Sequence, residues 1–279
     1  MAMTILSNPL AIAAQRHLSQ TEGRYNTSIV RMASGTRITQ AADDPAGLAI
    51  SDNMTSTIRS LGQATRNAQD AISLIQIFEG GTTEISNMLI RIRELAMHSS
   101  NETLGANERS MLDAEAQELK REITRIARTT VYADRQLLAG DPLHLEFQVG
   151  PHNNPERDRI IFDPGDTDLT TNGLHVNDLS LLTEQTARHA LDQLDNSLSR
   201  VNDIRARIGA SQNRLESTVN SQGVYLENLH AARSRIRDTD MAEESTSIAR
   251  ETILRQAGVA ILSQANETPK LALQLLRTN

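Results

Sequence analysis

Ala187-Arg188-His189-Ala190-Leu191-Asp192-Gln193-Leu194-Asp195-Asn196-Ser197-Leu198-Ser199-Arg200-Val201 opens the stretch on which the fold turns. In steps of three and four, it and its continuation carry Ala187, Leu191, Leu194, Leu198, Val201, Ile208, Leu215, Val219, Leu226, Leu229 and Ile236. Arg205, Gln212, Gln222 and Arg233 hold the seam positions between them, and no Pro intervenes. This is a heptad seam with polar interruptions. A helix of about fifty residues extends ~75 Å. A rod of that length cannot bury its own stripe and needs partner helices of similar length.

The rest of the composition suits such partners. Of 279 residues, 38% are hydrophobic and 2% aromatic, with no Trp, which points to thin cores two or three helices across. A net charge of −7 with pI near 5.5 argues against a nucleic-acid binder, which would carry a basic face. The absence of Cys excludes disulfides, thiolate metal sites and Cys nucleophiles. No apolar run approaches the ~20 residues of a membrane-spanning helix, so no membrane role is expected. Met1-Ala2-Met3-Thr4-Ile5-Leu6 has no Lys or Arg ahead of its apolar residues, unlike a cleaved signal peptide.

Residues 4 to 32 read as an amphipathic helix, with Leu6, Leu10, Ala14, Leu18, Tyr25, Ile29 and Met32 at helical spacing. Its stripe is narrow and Ala-rich, so alone it would be marginal in water. Asp44 as N-cap with Pro45 at the first helical position starts a second helix. That helix carries Ile58, Leu61, Thr65, Ala68, Ile72 and Ile75, then Ile85, Leu89, Ile92 and Ala96 in a second register. Gly80-Gly81 lies at the change, where a bend is expected. A third helix begins near Asn107. The period then changes: Leu143, Leu145, Phe147 and Val149 alternate with polar residues, and Ile160-Ile161-Phe162 supplies a returning strand. Residues 167 to 182 read as a polar connector with scattered Leu and Val. After Asp238 a last helical region carries Ile248, Ile253, Val259, Ile261 and Leu262, followed by Leu271, Leu273, Leu275 and Leu276. The expected fold is mainly α: a long antiparallel helical bundle or coiled coil with a small β-hairpin insertion near 141–165.

Ala33-Ser34-Gly35-Thr36-Arg37-Ile38, with Asp43-Asp44-Pro45-Ala46-Gly47-Leu48-Ala49-Ile50, resembles the N-terminal signature of bacterial flagellins. Asn67-Ala68-Gln69-Asp70-Ala71-Ile72-Ser73 and Arg91-Ile92-Arg93-Glu94-Leu95-Ala96 extend that likeness. Ala231-Ala232-Arg233-Ser234-Arg235-Ile236-Arg237-Asp238-Thr239-Asp240, Ile253-Leu254-Arg255-Gln256-Ala257-Gly258 and Ser263-Gln264-Ala265-Asn266 resemble the C-terminal signature. The resemblance implies a secreted flagellar filament subunit used for swimming, of a short form lacking the variable outer domains. It implies that residues 1–43 and 238–279 are terminal helices pairing as an inner coiled-coil domain, with Leu18, Ile29, Ile253, Leu262 and Leu275 in the assembling coil. Residues 44–237 are then the long-helix bundle domain. Partners implied are further copies of the chain, an export chaperone at the C-terminal helix, and Toll-like receptor five. Positions matching Arg91, Leu95 and Glu115 contact that receptor in many flagellins and lie at the subunit interface of the filament. Pro9 departs from the pattern of many members and bears on how the first helix starts.

No residue pattern supports catalysis. Asp43-Asp44 could be a carboxylate pair but reads as helix caps. Asp163, Asp166 and Asp168 miss the calcium-loop spacing and read as a turn. The seven histidines show no metal spacing, and neither a phosphate loop nor a nucleophile elbow occurs. No cofactor, catalytic residue or metal ligand is therefore expected. The alternatives to a filament subunit are the hook–filament junction protein and a non-polymerising helical adaptor.

Overall fold

The computed structural model describes residues 8–140 and 144–277. In chain order the elements are α1 (Pro9–Ser34), α2 (Pro45–Ser99), α3 (Ala106–Thr129), β1 (Val131–Tyr132), β2 (Arg135–Gln136), β3 (Leu145–Gln148), α4 (Pro155–Asp158), β4 (Arg159–Phe162), α5 (Glu184–Arg237) and α6 (Met241–Arg277). The chain divides into two compact units, Thr57–Glu227 and the two flanking ends, with the boundaries inside α2 and α5.

In the Thr57–Glu227 unit, one core joins α2, α3 and α5 with the β segments. Phe78, Ile75, Ile85, Leu89, Ile92, Ile123 and Leu194 are fully buried in it. Each such side chain contributes about 1.5–3 kcal/mol relative to exposure. Phe78 meets Phe162 of β4 edge-on, centroids 5.9 Å apart. The buried stripe of α5 runs Ala187, Ala190, Leu194, Ser197, Val201, Ile204, Ile208, Leu215 and Gln222. Half of the expected seam is thus in place. The other half is displaced by one residue, to Ala190, Ser197 and Ile204, while Leu191 and Leu198 pack half-buried at the edge. A helix that touches several neighbours buries a wider arc than a two-stranded coil does. Gln222 is buried with both ends of its amide used: its Nε2 donates to the Val149 carbonyl, and its Oε1 accepts from Thr65 Oγ1 at 2.9 Å.

The hairpin expected near 141–165 is β3 paired antiparallel with β4, in register Leu145↔Phe162 and Phe147↔Ile160. Residues 141–143, including the expected strand residue Leu143, lie outside the described residues. A second two-stranded pair, β1–β2, was not expected. Its turn residues Ala133 and Asp134 have φ of 46° and 63°. α2 is continuous through Gly80-Gly81, so no break occurs there. Gly81 has another role: a Cβ on it would lie 2.7 Å from Leu138 Cδ1 and 2.8 Å from Thr130 Oγ1, so only glycine lets this segment approach α2.

The connector before α5 is not merely polar. Leu169, Leu174, Val176, Leu179 and Leu181 are all buried in the core. Its carbonyls are held by side chains of α3 and α5. Lys120 Nζ donates to Asn177 O at 2.5 Å and Leu179 O at 3.0 Å. Ser197 Oγ donates to Leu174 O at 2.8 Å. Asp113 Oδ1 accepts from the Leu181 N–H at 2.6 Å. Buried backbone in irregular chain needs partners that no ladder supplies, and these side chains are the partners. Burial pulls the Lys120 amine below its ordinary value, because the cation gives up water for carbonyls.

The unit formed by the two ends is built on α1 and α6. Asn8 caps α1 by accepting from Ala11 N at 3.1 Å, with Pro9 in the first turn, where its missing N–H costs nothing. That is how the departure at Pro9 is accommodated. Gly35 ends α1 in the left-handed region, φ 68°. The chain segments leaving α1 and entering α6 then bond to each other. Arg37 N donates to Arg237 O at 2.6 Å and Thr239 N to Gly35 O at 3.1 Å. Asp44 caps α2 by accepting from Gly47 N at 2.9 Å. Asp43 accepts from the backbone N–H and hydroxyl of Thr39 and from Gln40 N. Those bonds, the Thr39 backbone bond first, hold its carboxyl below the ordinary value.

Candidate functional site

α1 and α6 run antiparallel in close contact along much of their length. Asn8 Nδ2 bonds Ala265 O at one end, and Thr36 bridges Asp238 at the other. The paired faces are unusual in what they bury. Thr21, Ser28, Glu244 and Glu251 are buried polar residues of this contact. Arg24 Nε lies 3.3 Å from Glu251 Oε1 and Arg31 Nη1 lies 3.6 Å from Glu244 Oε1, so two ion pairs link the helices. Arg255 stacks its guanidinium over the Tyr25 ring, 4.6 Å from the centroid. Small residues sit between: a Cβ on Gly258 would be 3.3 Å from Leu18 Cδ1.

The large apolar side chains of the same helices point elsewhere. Leu10 is 64% exposed, Ile12 65%, Ile253 66% and Ile261 59%, and Val30, Leu254 and Val259 are also exposed. Of the residues expected in the assembling coil, Leu18 and Leu262 are half-buried, whereas Ile29 and Ile253 are exposed. Leu275 falls in the last turns of α6, and its side chain lies outside the described residues. Sequence reasoning did not single out Thr21, Ser28, Glu244 or Glu251. Their signal was available: Arg24 and Arg31, like Glu244 and Glu251, stand seven residues apart, as a two-turn repeat requires.

Arg91 and Glu115 come together on the surface of the helical bundle. Arg91 Nε donates to Glu115 Oε1 at 2.9 Å, and its Nη1 lies 3.0 Å from Glu94 Oε2. The Glu115 bond first, then the Glu94 bond, raises the Arg91 pKa further. Leu95 is 4% exposed and packs in the core below them, so it fixes the helix rather than meeting solvent. Asp163, Asp166 and Asp168 each accept from a backbone N–H two residues on, as turn residues do. Among the described residues, no three His, Asp or Glu side chains are grouped to hold a metal, and no helix is long and apolar enough to cross a membrane.

Comparison with known proteins places this geometry in context. Residues 5–142 match the family described as the bacterial flagellin N-terminal helical region, and residues 191–276 match the bacterial flagellin C-terminal helical region. A flagellin of Halalkalibacterium halodurans is 41% identical over 99% of this chain and all of its own length. The flagellar filament 33 kDa core protein of Treponema phagedenis is 37% identical over 99% of this chain and all of its own length. The crystal structure of Bacillus cereus flagellin superposes with a TM-score of 0.50 and 30% identity, covering 56% of this chain and 88% of that one.

Proposed function

The chain belongs to the bacterial flagellins, in the short form without variable outer domains, and from that premise we propose how its subunits assemble. It is a structural protein, a subunit that self-polymerises into the extracellular flagellar filament used for motility. In the proposed arrangement the terminal helices, residues 1–43 and 238–279, are the inner coiled-coil layer, and residues 44–237 form the surrounding tube. The observation that carries it is the row of exposed apolar residues on α1 and α6: Leu10, Ile12, Ile29, Ile253, Leu254 and Ile261. A monomer has no use for so much apolar surface on two helices whose mutual contact is polar. Neighbouring copies bury it, at roughly 25 cal/mol per Å². Because that contact does not close on itself, it extends into a helix of subunits.

Two further partners follow from the same reading. An export chaperone covers the apolar surface of α6 before secretion, which keeps the chain monomeric inside the cell. Toll-like receptor five meets the bundle surface at the exposed Arg91–Glu115 pair, with Leu95 supporting it from beneath. The relatives that match end to end carry the names of a flagellin and a filament core protein, which favours the filament subunit over the hook–filament junction protein or a helical adaptor.

The test is negative-stain microscopy of the purified full chain, as monomer and then with filament seeds or ammonium sulfate. Long filaments of constant width are expected. Discrete particles under every condition would overturn the filament reading.

A further inference from the structure

Gly23 stands in the middle of α1, where glycine is among the poorest helix formers. Nothing lies within 4 Å of the position its Cβ would take. Packing inside the subunit therefore gives no reason for a glycine there. Gly258 is the contrast, since Leu18 fills the space beside it.

Gly23 lines an open groove along one side of the α1–α6 pair, together with Thr27, Arg31, Ser247 and Glu251. Glu251 is 8% exposed, and its Oε1 faces Arg24. Its Oε2 and the Arg31 Nε are buried without a hydrogen-bond partner among the described residues. The groove thus offers one orphan acceptor and one orphan donor. Such groups are costly to leave unmet, and native proteins nearly always meet them.

Beyond the polar stretch the flanks are apolar. On α1, Ile12, Arg16, Ser19, Gly23 and Val30 follow four-three spacing, and Ile12 and Val30 are exposed. On α6, Ser247, Arg250, Leu254 and Ile261 do the same, and Leu254 and Ile261 are exposed. Each helix therefore carries a second heptad stripe besides the one used in their mutual contact. A groove with heptad-spaced walls is shaped for a helix.

We propose that this groove receives a terminal helix of a second copy of this chain, with Gly23 at the point of closest approach and polar side chains of the incoming helix bonding Glu251 Oε2 and Arg31 Nε. The proposal rests on the filament reading and specifies the side of the helix pair on which the next copy docks. The occupant follows from continuity with that self-association: identical chains supply the polymer, and their terminal helices present exposed amides such as Gln15, Asn26 and Gln256. Such side chains can both donate to Glu251 and accept from Arg31.

The experiment uses the full chain with two variants. In the monomer, G23L has room and improves the local helix, so helix content and melting temperature stay equal or rise. Its critical concentration for filament growth rises at least tenfold, because the added side chain blocks the approach. G23C introduces the sole cysteine of an otherwise cysteine-free chain. Its thiol reacts with a maleimide freely in the monomer and at least tenfold more slowly in filaments. If wild type polymerises while G23L grows equally well and the G23C thiol stays as reactive in filaments as in monomers, the groove is not the docking side and the filament reading stands. If wild type fails to polymerise at all, the filament reading and this proposal fall together.

Discussion

Ala133 is the clearest local compromise in the chain. The β1–β2 turn needs φ above zero at both central positions, here 46° and 63°, and Ala133 pays the steric cost that Asn or Gly avoids. Ala133→Asn should raise stability by about 0.5–1 kcal/mol, read as a higher urea midpoint with an unchanged slope. A lower midpoint would show that the turn is held by its surroundings. That missing Gly is also why the turn was invisible in the sequence, whereas Asp44-Pro45 announced its helix start through residue chemistry alone. Asp43 allows a pH test. Its carboxyl titrates below the ordinary value of 3.8 because Thr39 and Gln40 donate to it. The stability it provides is fully present above that value and is lost as pH falls through the lower folded value. D43N should flatten the acid limb of a melting-temperature profile; an unchanged limb would mean the loop opens before Asp43 titrates.

At the scale of elements, the heptad reading of α5 located the helix and six-fold repetition of Ala187, Leu194, Val201, Ile208, Leu215 and Gln222, all of which are buried. It misassigned the intervening position because Ala190 and Ser197 are small and carry little apolar signal, yet small residues are what close packing selects. L215D places a charge at a site with 0% exposure and should cost about 3 kcal/mol or more, or unfold the chain. An unchanged melting temperature would contradict the buried stripe. The connector at 167–182 was less legible. Its leucines have no period because their spacing follows hydrogen bonds from α3 and α5, which only the fold reveals. Lys120 is the main anchor, so K120M should leave the Asn177 and Leu179 carbonyls unmet and cost about 2 kcal/mol. Hydrogen exchange should show faster exchange at Leu179 and Leu181 in that variant; unaltered protection there would mean Ser197 and Asp113 suffice.

The whole molecule separates what folds from what assembles. The unit Thr57–Glu227 holds the buried Phe, Ile and Leu core. The α1–α6 unit buries Thr21, Ser28, Glu244 and Glu251 and exposes its isoleucines. The sequence stripes on the terminal helices were legible as apolar, but not their direction, because that depends on which of two stripes the partner helix takes. Buried polar contacts contribute little net stability once their desolvation is counted. Removing residues 241–279 should therefore leave the core unit folded, with the thermal transition of that unit retained. Helix content should fall by more than α6 alone accounts for, since α1 loses its partner and is too weak to stand in water. The truncated chain should remain monomeric by light scattering under salt and seeding conditions that turn the full chain into filaments. Long filaments from it would mean that assembly runs through the bundle surface alone. Loss of the main thermal transition would instead mean that the terminal pair, despite its polar contact, holds the core unit together.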